Sequence, residues 1–284
     1  IYLLYASLMK WLHFILSHSI FVAVCAVALT FQTALLLQFN IDLFVYGFIF
    51  FATLCSYNFY WLLSKLSFAS QKNIPGLLKK ETTGFLLLII SSIGLLYCFL
   101  RTAIPLHFVI TAVLLTILYA IPLLPVSFLR FTRKAGVLKT VLLAFTWAYV
   151  TVIIPLQKDY SLLNGADFFI ISRRFLFMLM LCIIFDNRDK ELDKIRGLRS
   201  LATDLKPVTL RILIYLIFVL LFTSNFFFRN YGITLSQSIA LQVSTIALLA
   251  VYFYSNKKQG YLFYYFFVDG MMLFSALATY IAGI

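Results

Sequence analysis

The residues with the clearest chemical potential lie in one charged stretch, residues 186–197, which follows directly on an apolar run and reads DNRDKELDKIRG. If this stretch is helical, Asp186, Asp189 and Asp193 stand at positions i, i+3 and i+7 and share one helix face. Carboxylate oxygens are the ligands that Mg²⁺ prefers, and bound Mg²⁺ in turn holds phosphate groups. The stretch therefore predicts a site for Mg²⁺ and a diphosphate, with the neighbouring bases holding the phosphates.

The composition of the chain indicates that membrane-spanning helices position these side chains. Hydrophobic residues make up 63% of the 284 residues and charged residues 12%, and the mean hydropathy is +1.00. These values are typical of an integral membrane protein, and helical spans of about 20 residues each leave no room for a separate soluble domain. The net charge of +13 comes from bases between apolar runs, which favours membrane lipid as a partner and argues against nucleic acid.

Nine apolar runs, bounded by charge, Pro or Asn, predict nine transmembrane helices. The runs are apolar on every face rather than alternating, which favours an all-α membrane protein over a β-barrel. The predicted spans are about 14–38, 42–63, 84–100, 107–126, 138–156, 168–186, 209–228, 235–254 and 261–282.

The distribution of the 23 Lys and Arg residues predicts the orientation. Most of them fall in alternate connections, counted from the N-terminus, and basic connections usually face the cytoplasm. We therefore expect a multi-pass protein of the inner (cytoplasmic) membrane, with its N-terminus and the 64–84 and 186–208 connections in the cytoplasm.

Spans two and six hold equivalent positions in this topology, and each ends in a polar segment, one at Asn58 and one at Asp186. This correspondence predicts two four-helix halves, about residues 14–126 and 138–254, with an added ninth helix at about 261–282, around a central cavity. Residues 1–284 would then form a single transmembrane domain.

Nine spans with polar signatures at the cytoplasmic ends of the second and sixth resemble the UbiA family of intramembrane prenyltransferases. The specific part is Asp189-Lys190-Glu191-Leu192-Asp193, which fits the second DxxxD motif of the family. The motif is preceded by Asp186 and is followed by a basic, glycine-containing segment with Lys194, Arg196, Gly197 and Arg199. Tyr119, Pro122, Gly136, Lys139 and Trp147 resemble more weakly the region between the fourth and fifth helices.

The resemblance implies Mg²⁺-dependent transfer of an isoprenoid from its diphosphate to an aromatic or other lipophilic acceptor. It implies metal binding by Asp186, Asp189 and Asp193, and catalysis by Asp189 and Asp193 together with Lys139. The residues expected to bind the prenyl diphosphate are Asn58, Arg188, Lys194 and Arg196.

The first family motif, NxxxDxxxD, is not preserved. When Asn58 is aligned with its Asn, Leu62 and Leu66 occupy the two Asp positions, so half of the usual clamp is missing. This loss leaves a second hypothesis open, a non-catalytic protein that binds an isoprenoid lipid. A transporter is less favoured, because the acids lie at a helix end rather than at the midplane.

Several polar residues have structural alternatives. The acidic stretch could be a solvated segment with salt bridges between neighbouring turns, and Asn58 could form an interhelical hydrogen bond. Arg173 and Arg174 are expected to extend to the outer interface, and Asp269 is expected to form a structural hydrogen bond. The four cysteines are predicted to be small core residues.

Overall fold

A computed structural model describes residues 2–68, 81–121, 136–195, 197–227 and 231–284, with side chains described from residue 9 and excluding 66–68. Every regular element within these residues is helical. The helices are α1 (Tyr2–Ser17), α2 (Ile20–Leu37), α3 (Leu43–Phe68), α4 (Thr82–Arg101), α5 (Leu106–Ala120), α6 (Gly136–Leu156), α7 (Gly165–Ile195), α8 (Leu201–Asp204), α9 (Pro207–Phe227), α10 (Leu235–Ser255) and α11 (Phe263–Ile281), besides a short turn of helix at Tyr160–Leu162.

Eight of these helices are long and apolar enough to cross a membrane, as expected for a multi-pass membrane protein. They correspond to eight of the nine predicted spans. The predicted span at 107–126 corresponds to α5, which has 15 residues, and the end of that prediction lies outside the described residues. A ninth span therefore stays a prediction.

The predicted first span, 14–38, begins too early. The helix breaks between α1 and α2, where Ser19 has a φ of 62°, a left-handed conformation that cannot continue a right-handed helix. The polar residues Ser17, His18 and Ser19 stand at this break, a local signal that the predicted span did not use.

One compact unit comprises Ile1–Val27 and Asp42–Ala103. Within it α3 packs on α4 through two close approaches at glycine. A Cβ at Gly94 would lie 2.7 Å from the Phe51 ring, and one at Gly47 would lie 2.8 Å from the Cys98 sulfur. Small residues of this kind let membrane helices approach closely.

The second compact unit comprises Ala28–Ile41 and Ile104–Ile284. In this unit α7 packs against α6, α8, α9 and α10, and α10 packs against α11. Both α6 and α11 contain π-helical turns, at Tyr149–Ile153 and Phe263–Val268. Because α7 has the most neighbours, most of its side chains between residues 177 and 184 are buried. The two predicted four-helix halves stay a prediction.

All four cysteines are free, and Cys25, Cys98 and Cys182 are buried while Cys55 is half-buried. They make no disulfide, in agreement with their predicted place in the apolar interior.

Candidate functional site

The charged stretch forms the last turns of α7. This helix is continuous for 31 residues, which is about 46 Å at 1.5 Å per residue, whereas the hydrocarbon core is about 30 Å thick. A helix of this length reaches beyond the hydrocarbon at one or both ends, and its charged residues are all grouped at the C-terminal end, apart from Asp167 and the Arg173–Arg174 pair. The prediction that Asp186, Asp189 and Asp193 are helical is confirmed.

A Schellman motif ends α7. Gly197 adopts a positive φ of 66°, its N–H donates to the Lys194 carbonyl at 3.1 Å, and the Leu198 N–H donates to the Asp193 carbonyl at 2.9 Å. Glycine adopts this conformation without strain from a Cβ. The glycine that follows the acidic motif therefore turns the chain back toward the helix, while Arg196, a predicted phosphate ligand, lies outside the described residues.

Asp186 joins three segments of the chain. Its Oδ2 accepts a hydrogen bond from the Thr140 hydroxyl at 2.5 Å and another from the Leu201 N–H at 3.2 Å. The Leu201 N–H also donates to the Thr140 hydroxyl oxygen, at 3.2 Å. The carboxylate thus links the end of α7 to α6 and to the first residue of α8.

The start of α6 lies directly against the segment that precedes α8. A Cβ on Gly136 would lie 2.6 Å from the backbone nitrogen of Ser200 and 2.7 Å from the carbonyl carbon of Arg199. Contacts this short with backbone atoms cannot be relieved by turning a side chain. Only glycine fits here without moving the 199–204 segment that Asp186 holds.

Replacing Gly136 with alanine is therefore expected to lower the free energy of unfolding by about 2 kcal/mol, the usual cost of overpacking a close contact. The measurement is denaturant or thermal unfolding in detergent. Gly260→Ala is the control, since a Cβ there meets no atom within 4 Å. Equal stability of the two variants would contradict the close approach at Gly136.

Arg188 and Asp189 form a bidentate ion pair. Arg188 donates through Nε and Nη2 to the two carboxylate oxygens of Asp189, at 2.7 Å each. The guanidinium carbon also lies 4.9 Å from the ring centre of Phe185 and 5.0 Å from those of Tyr264 and Tyr265. Three aromatic rings and one carboxylate therefore surround the Arg188 cation.

The two predicted lysines have different partners. Lys139 precedes Thr140 on α6, its ammonium lies 5.8 Å from the Tyr119 ring centre, and it interacts electrostatically with Asp186. Lys194 is exposed and pairs with Glu191 at 2.9 Å, one helical turn away. Lys139 is thus close to the acidic site, and Lys194 takes part in a solvated pair of the kind expected for an exposed helix end.

The three predicted metal ligands do not form a metal site as they stand. Within the described residues, no group of three or more His, Cys, Asp or Glu side chains is arranged to hold a metal ion. Asp186 accepts two hydrogen bonds, both Asp189 oxygens accept from Arg188, and Asp193 is buried. Mg²⁺ is usually held by one or two carboxylates together with waters and substrate phosphates, and here the Arg188 cation faces both Asp189 oxygens that such a site would use. The Mg²⁺ site stays a prediction that would require Arg188 to move.

Asn58 lies in the other unit, buried on α3. Its amide nitrogen donates to the Leu54 carbonyl at 2.8 Å and to the His18 carbonyl at 3.2 Å. Both partners are acceptors, which identifies the amide nitrogen as the group facing them. The structural alternative for Asn58, a hydrogen bond between chain segments, is therefore present, whereas a phosphate contact stays a prediction.

Lys65, one turn beyond Leu62, has partners of its own. Its ammonium pairs with the Glu81 carboxylate and lies over the Trp61 ring. The degenerate first motif thus ends in an ion pair in which the carboxylate comes from the start of α4.

Arg173 and Arg174 do not extend to the interface, and that expectation was wrong. Both are buried, and their described hydrogen-bond acceptors are neutral oxygens. Arg173 donates to Asn225 Oδ1 and to the Leu241 carbonyl; Arg174 donates to the Leu29 carbonyl, Gln32 Oε1 and Thr33 Oγ1. The guanidinium groups stay inside because helices distant in sequence supply these oxygens.

Asp269 is buried where α11 changes from π-helical to α-helical turns. Among the described residues its side chain makes no hydrogen bond, so the structural hydrogen bond expected for it is not found there. Its carboxylate interacts electrostatically with Arg188. Asp269 is thus part of the surroundings of Arg188, whereas only Asp189 is paired with it.

Sequence reasoning missed Thr140, Tyr264 and Tyr265, which all contact the charged end of α7. Thr140 directly follows Lys139, which lies in a segment that resembles the family, and this neighbourhood could have indicated Thr140 as a candidate site residue. The two tyrosines stand four and five residues before Asp269 in the same span, but nothing in an aromatic-rich sequence singles them out.

Comparison with known proteins gives one structural match. No protein-family model matches the sequence, and no curated protein matches it. The apo structure of a UbiA homolog from Aeropyrum pernix K1 is similar, with a TM-score of 0.64 and 11% sequence identity over 92% of this chain and 96% of that chain. At this identity the likeness concerns the fold, and at that level it confirms the resemblance inferred from the second Asp motif.

Proposed function

We propose that this chain, whose fold is UbiA-like, is an intramembrane prenyltransferase that binds a prenyl diphosphate at the end of α7 and transfers its isoprenoid to a lipophilic acceptor. The observation that supports it most is the Arg188–Asp189 pair beside Tyr264 and Tyr265. A guanidinium, which is a cation suited to phosphate, lies here beside aromatic rings at the end of a membrane helix.

The reaction requires two kinds of stabilisation. When the allylic carbon–oxygen bond breaks, the electron pair leaves with the diphosphate and an allylic cation remains. Guanidinium and ammonium groups stabilise the departing diphosphate, and Arg188 and Lys139 are suited to this role. The faces of Tyr264 and Tyr265 are suited to stabilise the cation until the acceptor attacks and loses a proton.

Apolar surroundings protect such a cation from water. Most residues on the last apolar turns of α7, from Phe177 to Ile184, are buried or nearly so, and Phe185 lies beside the Arg188 guanidinium. A site at this depth excludes water while leaving the charged head of the substrate at the membrane edge.

The proposal includes an orientation and a location. We place the protein in the inner (cytoplasmic) membrane, with the charged end of α7 facing the cytoplasm. The basic connections between helices favour this orientation. The isoprenoid chain would enter from the lipid, and the diphosphate would arrive from the cytoplasmic side.

The direct test is incubation of the purified protein in nanodiscs with labelled prenyl diphosphates and candidate lipophilic acceptors, with Mg²⁺ or with EDTA. We expect a prenylated product and release of diphosphate. Arg188→Gln is expected to reduce turnover at least ~10-fold, since one charge-assisted contact contributes about 1.5–3 kcal/mol. Arg211→Gln, an exposed arginine of α9, is the matched control. If the folded protein forms no product with any combination of prenyl diphosphate and acceptor, the proposed enzymatic function is contradicted.

A non-catalytic protein that binds an isoprenoid lipid is the second candidate. The observation in its favour is the first motif, where Leu62 replaces an acid and the Asn58 amide is already hydrogen-bonded. Restoring the acids with Leu62→Asp and Leu66→Asp separates the two candidates. Activity that appears only in the restored variant supports the hypothesis of a non-catalytic binding protein. Turnover by the unaltered chain rejects that hypothesis.

A further inference from the structure

The carboxylate that the acidic motif would offer to a metal is already bound to an arginine. Both oxygens of Asp189 accept from Arg188, at 2.7 Å each, in the two-point geometry that fits a guanidinium to a carboxylate. A Mg²⁺ ion on these oxygens would stand directly beside the guanidinium, and two neighbouring cations repel each other. The Arg188 cation thus stands where a metal would bind Asp189.

The surroundings hold this cation in one place. The rings of Phe185, Tyr264 and Tyr265 lie 4.9–5.0 Å from the guanidinium carbon, and the Asp189 carboxylate pairs with it. Arg188 is half-buried, with 23% of its side chain exposed, so it is both positioned and accessible. Such a guanidinium loses little freedom when it binds a ligand.

Arg188 keeps donors for that ligand. A guanidinium has five N–H groups, and two of them point to Asp189. Tyr265 also hydrogen-bonds to this side chain, and the N–H groups beyond these contacts can donate to phosphate oxygens, which a planar guanidinium matches as well as carboxylate. Lys139, which follows the close approach at Gly136, supplies a second cation near Asp186.

The remaining acids do not offer an alternative metal site. Asp186 accepts hydrogen bonds from α6 and α8, and the first motif has Leu62 where an acid would stand. Within the part of the chain that the structure describes, no three acidic, His or Cys side chains converge. At Asp189, where a carboxylate and phosphate oxygens would share a cation, the cation present is that of Arg188.

We propose that Arg188 takes the place of the divalent cation, so that the protein binds the diphosphate of a prenyl diphosphate without Mg²⁺, with Asp189 as the residue that positions Arg188. This inference rests on the proposed function and specifies how its substrate is recognised. Asp189 accordingly acts through Arg188 rather than through a metal.

The experiment measures binding of geranylgeranyl diphosphate to the full chain in nanodiscs by calorimetry, in EDTA and in Mg²⁺. We expect Kd values that agree within about threefold between the two conditions, because the charge is supplied by the protein. Arg188→Gln is expected to raise Kd at least ~10-fold in both conditions, and Arg211→Gln is the control for loss of an exposed arginine.

The positioning role of Asp189 is tested by a double-mutant cycle. Asp189→Asn is expected to raise Kd about 3–10-fold in the unaltered chain and to have almost no effect when Arg188→Gln is already present. A purely structural role for Asp189 would weaken binding equally in both backgrounds. Arg188→Lys, which keeps the charge but loses the two-point pairing, gives a second measurement if the glutamine variant does not fold.

The outcomes are separable. Binding that requires Mg²⁺ overturns this inference and leaves the proposed function standing. Binding in EDTA that Arg188→Gln does not weaken also overturns it. Absence of binding in both conditions overturns the inference and the proposed function together.

Discussion

Replacing Gln32 with leucine is expected to lower the free energy of unfolding by about 2.5–4 kcal/mol. Gln32 Oε1 accepts from Arg174 Nη2 at 3.0 Å, and its Nε2 donates to the Ser275 carbonyl and hydroxyl and to Thr279 Oγ1 at 2.8–3.0 Å. Loss of an acceptor for a buried charge costs about 1.5–3 kcal/mol, and the lost bonds to α11 add about 1 kcal/mol. Leucine has a similar volume, so the change is mainly polar.

The Arg174 guanidinium makes this site sensitive. Among the described residues its Nη1 has no hydrogen-bond partner, and the Leu29 carbonyl and Thr33 hydroxyl are its other acceptors. A buried cation with so few acceptors cannot lose another without a large desolvation cost. The measurement is unfolding by SDS titration in mixed micelles.

Gln38→Leu is the matched control for Gln32→Leu. Gln38 follows the end of α2, is exposed, and makes one long hydrogen bond of 3.4 Å to the Gly232 carbonyl. We expect it to change stability by less than about 0.5 kcal/mol. Similar losses in both variants would show that the Arg174 network adds nothing to stability.

The positions of the helices follow from hydropathy, because a membrane helix must be apolar for about 20 residues whatever its tertiary contacts. The predicted 14–38 span shows the limit of this reasoning, because three polar residues at 17–19 did not by themselves exclude a continuous helix. Its break at Ser19 depends on backbone conformation, and the same serine would be tolerated within a helix. Helix boundaries of this kind are decided by packing rather than by composition.

The polar interior was much less predictable. The expectation that Arg173 and Arg174 reach the interface assumed a helix surrounded by lipid, but residues more than 50 positions away supply their hydrogen-bond acceptors. Asn58 likewise bonds to His18, 40 positions earlier. Such partners are brought together by the tertiary fold, so local spacing contains no signal for them.

The acidic stretch was partly predictable. Spacing alone placed Asp186, Asp189 and Asp193 on one helix face, and the helix is present. The same spacing could not show that Arg188 reaches the Asp189 oxygens or that Thr140 reaches Asp186, since rotamers and a second helix decide these contacts. Acidic residues that share one helix face therefore have different hydrogen-bond partners.

Substitutions of Asp186 distinguish most clearly between a structural role and a metal-binding role for its carboxylate. We expect Asp186→Ala to lower the free energy of unfolding by about 3 kcal/mol, because the Thr140 hydroxyl and the Leu201 N–H would both lose their charged acceptor. Both of these hydrogen bonds end on the same oxygen, Oδ2. An asparagine with its amide oxygen at that position can accept both, so Asp186→Asn is expected to stay within about 1 kcal/mol of the unaltered chain. Unfolding of both variants in detergent measures the difference.

The metal-ligand role and the structural role predict different results for the two variants. A carboxylate that ligates Mg²⁺ would make Asp186→Asn as damaging to Mg²⁺-dependent ligand binding as Asp186→Ala, with little change in the stability of either variant. A carboxylate that links α7 to α6 and α8 makes alanine alone destabilising. Calorimetric titration with Mg²⁺ on the folded Asp186→Asn protein completes the comparison. Loss of a Mg²⁺ signal in this variant, together with unchanged stability of Asp186→Ala, would contradict the structural role.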